Sequence, residues 1–323
     1  MDNKEIYKRT LGFSYRAFFA EVLSLLILGG CAALGFLVAE RTFNKGLIGL
    51  AVGCVVGLIL LVIVLRYMSY EYKAAQIAMM TKAITEGELP DDVIGEGKKT
   101  VKERFTTVAA FFLATGLIKG IFNEIGNAIE SLGRSVGGDK GGTVGSVIST
   151  VLQTVVNYLC DCCLGWVFYR KDVKAARATC EGAVLYFRHG KTLLRNMGRV
   201  FGIGLASLIP IGGAFFGIAY LIMSRFPAAF ATLTNEIVEA AARNSAYLNP
   251  FFTNPANMTL ACAALVGLIM WAIIHSVFVR PFVLVGVLRN YLVSGMEELP
   301  TEDSFALLDG KSKKFRKLHA ELA

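Results

Sequence analysis

Long apolar stretches alternate with polar segments along this chain of 323 residues. An apolar helix of about 20 residues is long enough to cross the ~30 Å hydrocarbon core of a bilayer. Six stretches come close to or exceed that length, at about 14–39, 46–66, 105–122, 148–169, 199–224 and 259–280. The pattern predicts an all-α integral membrane protein, a bundle of about six transmembrane helices in a single domain covering residues 1–323.

Lysine and arginine residues concentrate in alternate gaps between the apolar stretches. Of the 33 basic residues, 26 lie in four segments, which are residues 1–16, 66–104, 170–199 and 280–323. Cytoplasmic segments of membrane proteins carry such an excess of basic residues. We therefore expect a plasma-membrane protein with both termini in the cytoplasm and a basic cytoplasmic tail at 290–323.

The composition sets further limits. Hydrophobic residues make up 54% of the sequence, and the net charge is +8. Because the basic residues flank the apolar stretches, this charge indicates anionic lipid at the cytoplasmic face as a partner, and not nucleic acid. The longest cytoplasmic loop, 67–103, has 37 residues. Segments below about 40 residues rarely fold alone, so we expect no separate soluble domain.

Two segments on the predicted external side, 119–136 and 226–247, have apolar residues at helical spacing. Short amphipathic helices of this kind lie along the lipid headgroups, and a lid over a substrate path is the alternative. A Lys-Ala-Ala sequence follows both the second and the fourth span, at 73–75 and 174–176. Either the chain consists of three repeated helical hairpins, as transporters often do, or cytoplasmic flanks simply collect lysine and alanine.

Glycine and proline residues mark the apolar stretches. The glycines that lie four residues apart are Gly49, Gly53 and Gly57 in the second span and Gly213 and Gly217 in the fifth. Small residues at this spacing let helices pack closely in lipid, either within one chain or in a homo-oligomer. Pro210 and Pro281 each interrupt the backbone hydrogen bonds of a helix, which predicts two kinks.

Ionisable residues inside the predicted spans are the best functional candidates. Glu21, Asp161 and His275 lie about 7.5, 13 and 7.5 Å from the cytoplasmic ends of their spans, at 1.5 Å per residue. A charge at bilayer depth costs at least ~2.5–3.5 kcal/mol. Either these residues line one proton or cation path, with Arg280 at its cytoplasmic end, or each makes a single hydrogen bond between helices. We expect Asp161 and His275 to face one another or a shared cavity.

Sequence patterns of enzymes and metal sites are missing. The sequence has no H-E-x-x-H, Walker or G-x-S-x-G motif. Cys160, Cys162 and Cys163 lie within one helical turn and cannot point at a single zinc ion. We therefore expect no enzymatic activity, no metal and no cofactor.

The C-terminal half, about residues 160–305, resembles the choline transporter-like family. The similar elements are, in order, the cysteine-rich stretch 160–166, the basic helix from Cys180 to Asn196, two spans, His275-Ser276-Val277-Phe278 and an acidic tail with Glu302. This chain is shorter than members of that family and lacks their large external domain. The resemblance implies transport of a small solute.

Three hypotheses of function follow. The first is a permease for a small solute, cationic or lipid-derived, in which Glu21, Asp161 and His275 line the path. The second is a non-catalytic scaffold or assembly component of the membrane, whose glycine-rich helices pack against partners. The third is an oligomeric pore.

Overall fold

The computed structural model describes residues 1–43, 46–105, 115–121, 124, 156, 158–243, 247–310 and 312–320, and the regular elements in these ranges are helical. The helices are α1 (Asn3–Phe43), α2 (Gly46–Thr85), α3 (Val93–Arg104), α4 (115–121), α5 (Tyr158–Tyr169), α6 (Ala175–Ser207), α7 (Gly213–Met223), α8 (Pro227–Arg243), α9 (Pro255–Ile274), α10 (Arg280–Glu297), α11 (Glu302–Asp309) and α12 (Lys313–Ala320). Two π-helical segments, Leu208–Gly212 and His275–Val279, join α6 to α7 and α9 to α10.

Within the described residues, three helical segments are long and apolar enough to cross a membrane. They are Asn3–Phe43, Gly202–Met223 and Pro255–Glu297. This confirms the predicted class of an all-α membrane protein. A shorter apolar helix, Ile48–Val62, lies in α2. Parts of two predicted spans lie outside the described residues, namely 106–114 and 122 of the third span and 148–155 and 157 of the fourth. The number of six spans and the three repeated hairpins stay predictions.

Contacts between Cα atoms divide the chain into two compact units. Unit 1 comprises Met1–Arg16, Tyr70–Gly202 and Arg280–Ala323. Unit 2 comprises Ala17–Ser69 and Ile203–Val279. The boundaries between the units fall inside or at the ends of helices, so α1 and α2 each contribute to both units.

Unit 1 has an extensive buried core, to which every basic segment of the sequence contributes. Its largest fully buried side chains include Phe13 from α1, Met79 from α2, Trp166 from α5, Leu288 from α10 and Phe315 from α12. Few large apolar side chains lie on the surface of unit 1. Among the described residues they are Tyr15, Phe282, Val293 and Leu299. Segments that are too short to fold alone thus form one packed body together.

Helix α5 lies inside this core. Apart from Asp161 its sequence is apolar on all sides, which is typical of a helix that is enclosed by protein or lipid. Cys162, Cys163, Trp166 and Val167 are each 0% exposed and belong to the core of unit 1. The described end of the predicted fourth span is therefore surrounded by other helices of unit 1.

The C-terminal helix α12 is attached to unit 1 through its N-terminus. The Ser312 hydroxyl accepts a hydrogen bond from the Phe315 N–H at 3.0 Å, which caps the helix. Glu124 Oε2 accepts from Ser312 Oγ at 2.7 Å and from the Lys314 N–H at 3.2 Å. Burial raises the pKa of Glu124, but these hydrogen bonds and the Lys314 charge outweigh it, so the pKa lies below its ordinary value.

This contact corrects part of the predicted topology. The sequence pattern placed residue 124 in an external helix and residue 312 in the cytoplasmic tail. A bilayer cannot separate two side chains in hydrogen-bond contact, so the external position predicted for residue 124 and the cytoplasmic position predicted for residue 312 cannot both be right. In addition, Ile118 and Ile121 of α4, from the predicted third span, are buried in the core of unit 1. Residues 125–136 of the predicted external helix lie outside the described residues.

In unit 2, α1 and α2 form a hairpin held by glycine contacts. A Cβ atom on Gly49 would lie 2.0 Å from the Gly35 carbonyl oxygen, and one on Gly53 would lie 2.2 Å from the Cys31 carbonyl oxygen. Gly57 lies against Leu28 in the same way. The Gly49 ridge therefore packs against α1 of the same chain. At Gly213 and Gly217 an added Cβ would meet no described atom within 4 Å, and a homo-oligomer through that face stays a prediction.

Helices α7 and α9 form the second close contact of unit 2, and α8 packs against α9. A Cβ atom on Gly267 of α9 would lie 2.7 Å from the Gly212 carbonyl oxygen. The prediction of a helix within 226–247 is confirmed by α8. Large apolar side chains cover the surface of unit 2, and Ile209, Phe19 and Leu26 are 80%, 69% and 67% exposed. Such a surface is suited to lipid.

Candidate functional site

The candidate residues of the sequence analysis fall into two groups, one in each unit. Asp161 in α5 and Arg280 at the start of α10 belong to unit 1, while Glu21 and His275 belong to unit 2. The predicted approach of Asp161 to His275 concerns residues of different units and stays a prediction. The two groups are described separately.

In unit 1, Arg280 Nη2 donates a hydrogen bond to Asp161 Oδ2, and the two side chains form an ion pair. The Tyr158 ring lies beside the guanidinium, with 5.4 Å between the Arg280 Cζ atom and the ring centroid. The side chains of Arg280 and Asp161 are 27% and 21% exposed. The carboxylate thus has a charged partner inside its own unit, a pairing that the sequence did not indicate because the residues are 119 positions apart.

In unit 2, the Glu21 carboxylate lies beside Ser276. Ser276 Oγ is 3.4 Å from Glu21 Oε2 and 3.1 Å from the Ile273 carbonyl oxygen, and the hydroxyl hydrogen can be donated to either acceptor. Both Glu21 and Ser276 are half-buried. The contact joins α1 to the π-helical segment His275–Val279.

His275 lies in a polar group next to the other π-helical segment. Its ring packs on Trp271, with 5.4 Å between the ring centroids, and its Nε2 atom would be 2.9 Å from a Cβ atom on Gly204. Trp271 Nε1 donates to Ser207 Oγ at 3.0 Å, and Ser207 donates to the Gly204 carbonyl oxygen at 2.6 Å. We call these four residues the π cluster, because Ser207 precedes one π-helical segment and His275 begins the other.

The two π-helical segments lie where the sequence analysis predicts kinks. Pro210 is inside the segment Leu208–Gly212 and lacks the N–H that an α-helix requires. Pro281 follows the segment His275–Val279, where its ring would clash with the carbonyl group four residues earlier in a regular helix. A π-helical turn moves that carbonyl away. Single π-turns are rare and occur frequently at functional sites.

A second polar network in unit 1 surrounds Glu181, which the sequence analysis did not single out. Glu181 is 4% exposed and accepts hydrogen bonds from Trp166 Nε1 at 3.1 Å and from Arg170 Nη1 at 2.9 Å. Arg170 also makes a bidentate contact with Asp172. This hydrogen bond raises the pKa of Arg170 and lowers that of Asp172. The network stabilises the turn between α5 and α6.

The cysteines of unit 1 are packing residues. Cys162 and Cys163 are buried, and burial raises the pKa of the Cys180 thiol to about 12. A thiol with so high a pKa is a poor nucleophile at neutral pH. Among the described residues, no three histidine, cysteine or acidic side chains are grouped so that they could hold a metal ion.

Comparisons with protein-family models, with curated proteins and with solved structures yield no match. The resemblance of residues 160–305 to the choline transporter-like family stays an expectation from the sequence. Function is therefore inferred from the geometry of the two units.

Proposed function

We propose that this protein is a permease-like transporter of the cell membrane, and that its path passes through unit 2 beside the π cluster. The observation that carries the proposal is the pair of π-helical segments, Leu208–Gly212 and His275–Val279, each next to polar side chains in an otherwise apolar unit. Transporters commonly bind their substrates where membrane helices are interrupted. Interrupted helices leave backbone carbonyls available to a solute.

Glu21 is the acidic residue of this path. Only five of the basic residues of the sequence, Arg41, Lys45, Arg66, Arg225 and Arg243, belong to unit 2. A carboxylate in a unit with few positive charges attracts a proton or a cation. We therefore propose a small cationic solute, or a proton, as the species that Glu21 binds.

Transport is tested with the full chain in proteoliposomes. Labelled choline and ethanolamine, which are small cations derived from lipids, should enter faster than they enter protein-free liposomes. Glu21→Gln should reduce the initial rate at least about tenfold, since the loss of one charge contact of about 1.4 kcal/mol changes a rate by that factor. The matched control is Glu239→Gln, which removes an exposed carboxylate of α8 that pairs with Arg243. Equal rates with and without protein would contradict the proposal.

We also propose a topology with four crossings for the described chain, by α1, α2, α6–α7 and α9. The lipid-compatible surface of unit 2 and the sparse apolar surface of unit 1 support it. An impermeant thiol reagent added to intact cells should label Glu239→Cys, and should label neither Glu96→Cys nor Glu124→Cys. The wild-type chain controls for its native cysteines. Labelling of position 124 from outside would contradict the four-crossing topology and support the external segment 119–136 that the sequence predicts.

Anionic lipid at the cytoplasmic face is a proposed partner of α12. Phe315 and Leu318 face the core of unit 1, whereas Lys313, Lys314, Arg316 and Lys317 are exposed on the other side of the helix. Each basic residue near a charged membrane contributes about 1 kcal/mol. Replacing all four by Gln should reduce co-purification of anionic lipid with the full chain. Replacing Lys98 and Lys99 in α3 is the control, since both already have acidic partners.

A scaffold function is the second candidate, and the pairing of Asp161 with Arg280 favours it. In a scaffold, polar side chains stabilise the fold and need no solute. The two candidates differ in one measurement, because Glu21→Gln leaves the assembly of a scaffold intact but stops a permease.

A further inference from the structure

Unit 1 contains a cleft that is separate from the candidate sites described above. It has a volume of about 190 Å³ and lies where the C-terminal ends of α2 and α5 meet the middle of α3. A single ordered water needs only about 10–15 Å³ of such space. The cleft is therefore large enough for a small organic molecule.

The inner wall of the cleft is apolar. Met79 is 0% exposed and Phe168 is 2% exposed, and both line it. Thr85 and Thr100 also line it, and their hydroxyls donate to the carbonyl oxygens of Thr81 and Glu96. Because their hydrogens are engaged, these two threonine oxygens can only accept further hydrogen bonds.

The outer wall carries charges of both signs. Lys82 and Lys171 supply two ammonium groups, and Glu86 supplies one carboxylate that lies 3.8 Å from Lys82 Nζ. The C-termini of α2 and α5, at Thr85 and Tyr169, each add a partial negative charge of about one half. The neighbouring Arg170 is bound to Asp172 and Glu181. Positive and negative charge around the cleft are thus nearly balanced.

We propose that this cleft binds a small zwitterion with an apolar side chain, of the chemical class of an apolar α-amino acid. Its carboxylate pairs with the lysine ammonium groups, and its ammonium group is held by Glu86 and the helix C-terminal carbonyls. Its side chain contacts Met79 and Phe168. A simple anion would use the lysines and meet repulsion from Glu86 and the helix ends, and a simple cation would meet repulsion from the lysines. The site lies in unit 1, so it does not depend on the proposed path in unit 2.

Calorimetric titration of the full chain in neutral detergent tests the proposal with four probes. These are L-leucine, 4-methylpentanoate without the amino group, isopentylamine without the carboxylate, and glycine without the side chain. L-leucine should bind at least about tenfold more tightly than each of the others, since losing one charged contact or a buried apolar group costs about 1.4 kcal/mol or more. Absence of leucine binding overturns the proposal. Equal binding of 4-methylpentanoate or of isopentylamine also overturns it, because the site then selects a single charge.

Variants of exposed side chains separate the two charged contacts without disturbing the core. Lys171→Gln should weaken binding of both L-leucine and 4-methylpentanoate several-fold. Glu86→Gln should weaken L-leucine and strengthen 4-methylpentanoate. Lys98→Gln is the control, since this lysine pairs with Glu71 and does not line the cleft. If Glu86→Gln leaves leucine binding unchanged, the carboxylate does not hold the ammonium group and the assignment is wrong.

Discussion

The ion pair between Asp161 and Arg280 leads to a quantitative prediction about the stability of unit 1. Asp161→Asn removes the carboxylate charge and leaves the Arg280 guanidinium beside Tyr158 without its acidic partner. Arg280→Gln removes the guanidinium charge and leaves the Asp161 carboxylate without its basic partner. A double-mutant cycle with both changes isolates the energy of the pair, because each single variant loses the same interaction.

The exposure of the two side chains sets the expected size of this energy. Pairs on a protein surface contribute about 0–1 kcal/mol, whereas breaking a fully buried pair costs about 3–5 kcal/mol. Arg280 and Asp161 are 27% and 21% exposed, so water screens their interaction in part. We therefore expect a coupling energy of about 2 kcal/mol, midway between the two classes.

The measurement is equilibrium unfolding in mixed micelles, followed by the fluorescence of Trp166, which is fully buried in unit 1. The comparison pair is Arg243 and Glu239 on α8, whose side chains are 74% and 68% exposed. Its coupling energy should be about 0.3–0.5 kcal/mol, as for other exposed helical pairs. If the two cycles agree within about 0.5 kcal/mol, exposure does not decide the strength of these pairs and the reasoning fails.

Three further predictions concern other contacts. Gly53→Ala should lower the free energy of unfolding by about 1–3 kcal/mol, because its Cβ atom would lie 2.2 Å from the Cys31 carbonyl oxygen. Thr81→Val should raise the free energy of unfolding by about 1 kcal/mol, because the buried Thr81 hydroxyl has no hydrogen-bond partner among the described residues. Glu124→Gln should speed hydrogen exchange in α12 at pH 7. The exchange rates of wild type and variant should become equal as the pH falls below 4.5 and passes the lowered pKa of Glu124, because the wild-type carboxylate then loses its charge.

The predictions for Gly53 and Thr81 each have a matched control variant. Gly29→Ala should be tolerated, since an added Cβ there meets no atom within 4 Å. Thr10→Val should be destabilising, because the Thr10 hydroxyl donates to the Ile6 carbonyl oxygen at 2.9 Å in the core. If Thr81→Val and Thr10→Val have the same effect, the unpaired hydroxyl has no cost. If the exchange rates of wild type and Glu124→Gln still differ at a pH below the pKa of Glu124, the charge of Glu124 is not what stabilises α12.

The sequence was sufficient for features that depend on local pattern. Apolar runs of sufficient length predict α1 and α9, and helical spacing predicts α8. The prolines at 210 and 281 predict interruptions, which the structure has as π-helical segments. Each of these follows from a few neighbouring residues, and hydropathy or backbone chemistry alone decides them.

The core of unit 1 could not be predicted in this way. Phe13, Trp166 and Phe315 are far apart in the sequence, and none of the segments that carry them is long enough to bury a large side chain alone. The pairs Asp161–Arg280 and Glu181–Arg170 are equally hidden, because their members are 119 and 11 positions apart and leave no local pattern. A sequence pattern describes one segment at a time, whereas the burial of a side chain depends on all the segments that pack around it.

The conflict between the predicted positions of residues 124 and 312 has a different cause. Hydropathy reports that a run of residues avoids water, and protein interior and lipid satisfy that preference equally well. Ile118 and Ile121 are 1% and 0% exposed in unit 1. Lys119, which interrupts the same run, fits a helix of a protein core with one polar side better than a span. For helices of this length, contacts with other segments decide between the two environments.

The charge pattern and the core of unit 1 impose the same requirement on the chain. The positive-inside rule predicts that residues 1–16, 66–104, 170–199 and 280–323 lie on one side of the membrane. The core of unit 1 requires side chains from the same four segments, such as Phe13, Met79, Leu185 and Leu288, to meet. Between any two of these segments the chain must therefore cross the bilayer an even number of times or not at all.

The basic residues are also part of the fold, since Arg104 and Arg289 donate hydrogen bonds to backbone carbonyls within unit 1. Inverting one basic segment across the membrane would consequently remove both a topological signal and one side of the core.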